Sequence, residues 1–381
     1  MTMTYKIRLL LIVFVFSISA CQTKNKETKK DNSKSEISLK DHFKGSFLIG
    51  AAINDGYIDR SDSLGIQLLE KEFNSITAEN IMKWMYVHPE KDSYFFDTTD
   101  KFVALGQENG MYIVGHNLVW HSQLAEWVNP IKDSLEMAAL LKNHINTIVS
   151  RYKGKIDAWD VVNEALNEDG TLRESVFSNT MGDSFLEVAF KEAAKTDPDA
   201  ELIYNDYNLW KPEKRDGVVR LVKKLQEKGA KIDGVGIQAH WSLEGPSIED
   251  IENSIIAFSE LGVKVSFTEL DVTVLPNPWD LDGAAVNQNY NEFEGDPTMN
   301  PYPNGLPDSV KLQLSNRYQD IFNLFTKHKD NINRVTFWGV QDGQSWLNNW
   351  PINGRTNYPL FFDRNYQPKK VYTDIISAKN N

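Results

Sequence analysis

The feature that most constrains the fold is an alternation. Eight short runs rich in β-branched and other apolar residues recur along the chain, at 47–53, 73–78, 111–116, 156–162, 202–205, 235–239, 263–268 and 335–340. Between them lie stretches with helical periodicity, such as 218–228, 251–260 and 318–327. Near-continuous apolar strands, as opposed to strands that alternate apolar and polar, belong to parallel sheets covered by helices. Eight such units in 381 residues predict an α/β fold, a (β/α)8 TIM barrel forming one domain, whose usual size is about 250 residues plus insertions. An open doubly wound sheet is the competing arrangement. It is weakened by the lack of a glycine-rich phosphate loop after the first run. The last two runs start about 70 residues apart, where the earlier spacings are roughly 25 to 45. The excess, 276–308, is rich in Pro, Asn, Gly and Asp and reads as a long loop inserted after strand seven, at the active-site end of the barrel.

The first residues read differently. Lys6 and Arg8 precede an apolar run from Leu9 to Ile18, and Ser19-Ala20-Cys21 follows. This is the pattern of a secretory signal peptide over 1–20, too short to span a bilayer as a helix. Ile18-Ser19-Ala20-Cys21 resembles a bacterial lipobox, and Cys21 is the only cysteine, so no intramolecular disulfide can form. Lipidation of Cys21 is expected to hold the protein on a membrane. Residues 21–44 carry few large apolar side chains and read as a flexible tether, leaving 45–378 as the folded domain. Gln22 is compatible with an outer-membrane destination, so an exported lipoprotein on the periplasmic or cell-surface face is expected.

A formal charge of −12 argues against nucleic acid as a partner, because phosphate binding needs a basic surface. Ten Trp, 14 Tyr and 19 Phe supply flat rings on which sugars can stack. In such barrels the chemistry sits at the carboxyl ends of the strands. There the sequence places Glu79, Asn80 and Lys83 after strand two, and His116, Trp120, His121 and Gln123 after strand three. Asn163 and Glu164 follow strand four, Asn205 to Asn208 strand five, and Gln238, His240 and Trp241 strand six. Glu269 and Asp271 follow strand seven, and Trp338, Gln341, Asp342 and Trp346 strand eight. Amides and carboxylates hydrogen-bond hydroxyl groups, and indoles stack on sugar rings. Two carboxylates on separate strands suit glycoside hydrolysis, one protonating the leaving oxygen and the other attacking the anomeric carbon. His116, His121 and His240 could instead ligate a metal, but the usual ligand-pair spacings are absent, and hydrogen-bonding roles fit better. No cofactor is expected. A serine nucleophile finds no G-x-S-x-G elbow.

These segments make the chain resemble glycoside hydrolase family 10, the barrel-fold endo-β-1,4-xylanases, from about residue 45 to 372. Trp159-Asp160-Val161-Val162-Asn163-Glu164-Ala165 is similar to the family's acid/base motif, and Val265-Ser266-Phe267-Thr268-Glu269-Leu270-Asp271 to its nucleophile motif. The segments 115–123, 204–208 and 236–240 also fit, in order. The resemblance implies a retaining endo-1,4-β-xylanase acting on xylan or xylo-oligosaccharides, with Glu164 as acid/base and Glu269 as nucleophile. It implies that Asn163 bonds the sugar 2-hydroxyl, that His240 orients Glu269, and that Asp271 holds His240. It places Glu79, Asn80 and Lys83 on the next sugar, His116, Trp120 and Gln238 at the cleavage subsite, and Trp338 and Trp346 over it. Gln123 and Tyr207 are expected to reach the sugars or the catalytic pair.

Glu164 should have a raised pKa, through the nearby charge of Glu269 with the apolar tryptophan wall adding to it, and the two carboxyls should stand about 5–5.5 Å apart. Two places depart from the family's pattern. Leu347 stands where a basic residue is common. The 276–308 insertion, with Trp279, Tyr290, Phe293 and Tyr302, is expected either to contact decorations and extra sugars or to pack as a structural loop. The rival functions are hydrolysis of another β-1,4-glycan and non-catalytic binding of surface glycans. Xylose lacks the exocyclic CH2OH, so a tight subsite around Lys83 and Trp346 separates the first. Retention of both glutamates argues against the second.

Overall fold

A computed structural model describes residues 37–278, 281, 286 and 288–378. The expected signal peptide, Cys21, most of the expected tether and Trp279 lie outside these residues.

The strands are β1 (Leu48–Ile53), β2 (Ser75–Ala78), β3 (Tyr112–Trp120), β4 (Ala158–Asn163), β5 (Glu201–Asp206), β6 (Gly234–Ile237), β7 (His240–Ser242), β8 (Lys264–Thr273) and β9 (Ile332–Phe337). Strands β1 to β6 pair in parallel in sequence order. Then β6 pairs with β8, β8 with β9 and β9 with β1, which closes an eight-stranded parallel barrel. Nearly every strand residue is buried, as expected for a sheet with helices outside and packed side chains within. The helices show the matching periodicity. In Pro212–Glu227, Val218, Leu221, Val222 and Leu225 form the buried stripe, and Pro212 sits in the first turn, where its missing N–H costs nothing. Helix Ser134–Arg151 starts where the Asp133 carboxylate accepts from the N–H groups of Leu135 and Glu136.

Three boundaries differ from the sequence reading. The seventh barrel strand runs on to Thr273, five residues past the expected end. Its outer half is paired by β7, with His240 opposite Asp271, after the chain breaks at Ala239 (φ 66°). The eighth begins at Ile332, three residues early, because Ile332 and the polar Arg334 both pair with β8, with a register shift at Asn333 between them. The domain begins before residue 45. Leu39 is fully buried and its N–H donates to Glu72 Oε2 at 2.9 Å, while Phe43 packs on Phe47 and Phe322. The turn Leu39–His42, capped by Ser38, is too short to show a helical period in the sequence.

The described parts of the 276–308 insertion are stapled to the loop after β9. Trp350 Nε1 donates to the Gln288 carbonyl at 3.1 Å and Arg355 Nη1 to the Pro276 carbonyl at 2.9 Å. The Tyr358 hydroxyl donates to the Tyr302 carbonyl at 2.8 Å. Tyr290 is buried and Tyr302 packs against the core.

Candidate active site

The strand register sets the level of the site. Trp120 on β3 lies opposite Asn163 on β4, and Asn163 opposite Asn205 on β5. Glu164 follows directly, in the left-handed region at φ 56°, a conformation that a side-chain-bearing residue keeps only when its surroundings impose it. Across the barrel, Glu269 and Asp271 stand two residues apart on β8 and so share one face.

Both glutamates are 5% exposed, yet their surroundings differ. Glu164 accepts from the Trp120 indole N–H at 2.8 Å and from Gln238 Nε2 at 2.9 Å. Its pKa is pushed up to about 7, first by burial and next by the charge of Asp206. The Gln238 and Trp120 hydrogen bonds oppose the rise, and Glu269 contributes less than any of these. The expectation that Glu269 dominates is therefore corrected. Trp120 encloses Glu164, but its N–H stabilises the charged form.

Glu269 accepts from Asn205 Nδ2 at 2.8 Å, and His240 Nε2 lies 3.1 Å from its second oxygen. His240 Nδ1 lies 3.0 Å from Asp271 Oδ1, and Asp271 Oδ2 accepts from the Trp346 indole at 2.8 Å. Burial alone would raise Glu269. The hydrogen bond and charge of His240, with help from His116 and Asn205, outweigh it and hold the carboxyl below its ordinary value. Burial likewise opposes charge on His240, but Asp271 and Glu269 lift its pKa to about 10, so it is an imidazolium between two carboxylates.

Amides link the two halves. Asn205 Nδ2 also donates to Asn163 Oδ1 at 3.1 Å, and Gln238 Nε2 approaches the same oxygen at 3.4 Å. Asn205 Oδ1 accepts from Thr268 at 2.6 Å. Its amide lies against Gly236, where a Cβ would come within 2.4 Å of Oδ1; only glycine leaves that space.

The cleft at these groups is lined by Glu79, Asn80, Lys83, His116, Trp120, Ser122 and Gln123, together with Asn163, Glu164, Gln238, His240 and Glu269. Val286, Trp338, Trp346 and Trp350 complete it. Lys83 Nζ donates to Asn80 Oδ1 at 2.9 Å and Gln123 Oε1 at 2.8 Å. Burial lowers its pKa, while Glu269, Glu79, Glu164 and Asp160 resist that fall. Burial raises Glu79. His116 Nδ1 lies 2.8 Å from Asp160 Oδ2, and its ring meets Trp338 edge-on. Trp346 and Trp350 stack at 4.3 Å.

Of the residues singled out in the sequence, Tyr207 is not brought to the cleft. Asn205 takes the inward position at the end of β5, and Tyr207 turns behind it. There its hydroxyl accepts from Arg173 Nη2 at 2.8 Å, and Lys214 Nζ sits 3.6 Å over its ring. His121 also lies outside the cleft. Burial, then Arg173 and Lys214, lower its pKa to about 4. Leu347 is buried and does not line the cleft. Among the described residues no group of three or more His, Cys, Asp or Glu side chains is placed to hold a metal ion. Sequence reasoning gave no role to Asn205, Asp160, Trp350 or Val286. Asn205 and Asp160 stood inside the quoted motifs. Trp350, four residues after Trp346, carried a weak aromatic signal. Val286 carried none, since a loop valine reaches the cleft only through tertiary folding.

The arrangement joins a carboxyl that holds a proton near neutral pH, a carboxylate kept ionised, hydrogen-bonding amides and an indole wall. It can deliver a proton and a nucleophile to the two sides of one polar bond in a sugar-like ligand.

Comparisons with known proteins agree in kind. The model of glycosyl hydrolase family 10 matches residues 38–378. An endo-1,4-beta-xylanase A of Xylanibacter ruminicola is 44% identical over 349 residues, covering 90% of this chain and 94% of its own. A beta-1,4-xylanase of Dictyoglomus thermophilum is 41% identical, covering 97% of each. Among solved structures, a family 10 endoxylanase from a sugarcane soil metagenome superposes with a TM-score of 0.86 at 43% identity, covering 90% of this chain and 100% of that one. A Paenibacillus barcinonensis xylanase complexed with a conduramine derivative gives 0.80 at 36% identity, covering 90% and 99%.

Proposed function

The chain belongs to glycosyl hydrolase family 10, and from that premise we propose that it is an endo-1,4-β-xylanase that cleaves internal bonds of xylan by double displacement. The observation that carries the reading is the opposed state of two equally buried glutamates on one cleft, Glu164 near pKa 7 and Glu269 held ionised. Glu164 protonates the leaving oxygen while Glu269 attacks the anomeric carbon and forms the glycosyl-enzyme. Water then enters, Glu164 takes its proton, and the Glu269 ester is released. Because burial and Asp206 outlast the esterification of Glu269, the loss of one negative charge only partly lowers the Glu164 pKa. A value near neutrality already lets it serve as acid and then as base.

Asn163 bonds the 2-hydroxyl, and His240, aligned by Asp271, keeps Glu269 charged. Glu79, Asn80, Lys83 and Gln123 hold the neighbouring sugar. His116, Trp120, Gln238, Trp338 and Trp346 shape the cleavage subsite, and a narrow fit around Lys83 and Trp346 favours xylose over a sugar bearing CH2OH. Purified xylan and cellulose, incubated in parallel with product sizes and anomers followed by NMR, test the proposal. Xylan should yield short oligomers first released as the β-anomer. Release as the α-anomer, or preferential cleavage of cellulose, overturns it, as does a crystallographic carboxyl separation above about 6.5 Å.

We infer separately, from Cys21 at the end of the apolar run and the polar residues after it, that the mature protein is a lipoprotein of the outer membrane. Cys21→Ser should move activity from the membrane fraction to the soluble one.

A further inference from the structure

The left-handed backbone of Glu164 needs a restraint, and the restraint lies outside the cleft. Glu164 N–H donates to the Asn205 carbonyl at 2.8 Å, and Arg173 Nε donates to the Glu164 carbonyl at 3.0 Å. The next N–H, that of Ala165, donates to the Tyr204 hydroxyl oxygen at 3.1 Å. That hydroxyl donates in turn to Asp206 Oδ2 at 2.5 Å. Asp206 is fixed on its other side by the Tyr207 N–H at 2.9 Å and Lys214 Nζ at 2.9 Å. Tyr204, Asp206 and Lys214 are fully buried, and none of the three lines the cleft. A phenol here is not explained by packing, which phenylalanine would satisfy. Its oxygen is both acceptor and donor, and a buried aspartate paired with a buried lysine fixes the direction of its proton.

We propose that Tyr204 is a positioning residue for the reaction. Its hydroxyl, oriented by Asp206 and Lys214, fixes the peptide after Glu164, and this aims the Glu164 carboxyl at the leaving oxygen. The assignment rests on the reading of Glu164 as acid/base. Proton transfer depends steeply on such placement, whereas attack by Glu269, anchored on β8 through His240 and Asn205, does not pass through this restraint.

The two roles separate by leaving group. The phenol of a phenyl β-xylobioside needs protonation as it leaves, and 2,4-dinitrophenolate does not. Tyr204→Phe, which removes one oxygen and keeps the ring, should lower kcat/KM for the phenyl substrate by roughly 10- to 100-fold and for the dinitrophenyl substrate by less than about 3-fold. Rates are expressed per competent site, counted by trapping Glu269 with a 2-deoxy-2-fluoro dinitrophenyl glycoside. A variant that folds in poor yield is thereby still measured. Equal loss on both substrates, or no loss on either, overturns the proposal. Glu164→Gln is run alongside. If it too shows no dependence on leaving group, the acid/base reading falls. If it shows that dependence and Tyr204→Phe does not, only the positioning role falls.

Discussion

The end of β4 and the middle of β8 present the same side chain at the same exposure and treat it in opposite ways. At β4, Glu164 meets indole and amide donors with a buried aspartate behind it, and its neutral form gains. At β8, Glu269 meets an imidazolium that is itself braced by Asp271, and its charged form gains. Desolvation is the largest influence on both and pushes both upward. The difference therefore comes from the sign of the charged neighbour that acts most strongly on each, Asp206 or His240, not from depth. A buried carboxyl is made an acid when desolvation outweighs its neutral hydrogen-bond donors, and a nucleophile by supplying a cation.

The strongest way to break this contrast is Glu269→Gln. Without the nucleophile, hydrolysis should fall by roughly 10⁴-fold or more, whatever the leaving group. A leaving-group-dependent loss here would reverse the two assignments. Glu164→Gln should cost roughly 10²- to 10⁴-fold on xylan while nearly sparing kcat/KM on activated aryl glycosides, as measured by initial rates on both. His240→Gln tests the cation directly. Glu269 then loses its principal counter-charge and its pKa rises, so the acid limb of the kcat/KM profile should move to higher pH. Each unit of that move costs about tenfold in rate at pH values below the limb. An unmoved limb would mean that Asn205 and His116 suffice to keep Glu269 charged.

Stability provides the smallest but cleanest contrast, because its two signs differ. The folded pKa of Glu164 stands near 7 against an ordinary value of 4.5. Its protonated form therefore favours the fold below about pH 4.5, and that advantage is lost as pH rises to 7. Glu164→Gln should match wild type at pH 4 and exceed it at pH 8, by at most about 3 kcal/mol in denaturant unfolding. Glu269 is lowered by folding, so its carboxylate contributes stability above its ordinary pKa, lost as pH falls through the folded value. Glu269→Gln should be less stable than wild type at pH 8.

The barrel was legible because its signal is repeated. Eight apolar runs separated by helical stretches allow few arrangements, and the position of a polar residue just past a run says which end it occupies. Glu164 and Glu269 were legible for that reason and through their flanking motifs. The start of the domain was hidden because a four-residue helix with buried Leu39 has no period to detect. The length of β8 was hidden because its outer half depends on β7, which exists only once the chain turns at Ala239. Tyr207 was misplaced because just past a strand end the direction of a side chain is decided by its neighbours, here Arg173 and Lys214.

By itself the sequence determined which residue types stand at the carboxyl ends of which strands, since hydrophobic periodicity and strand order are local properties of the chain. It therefore named the two glutamates, the histidine and most of the aromatic wall. Only the tertiary structure decided what each carboxyl feels. The cost of burying a charge and the pull of a neighbour 3 Å away depend on groups brought from β3, β5, β6 and β7 by closure of the barrel. Asp206 outweighs Glu269 at Glu164, and Tyr204 reaches the peptide beside it, because burial and distance are properties of the closed barrel that no single strand contains.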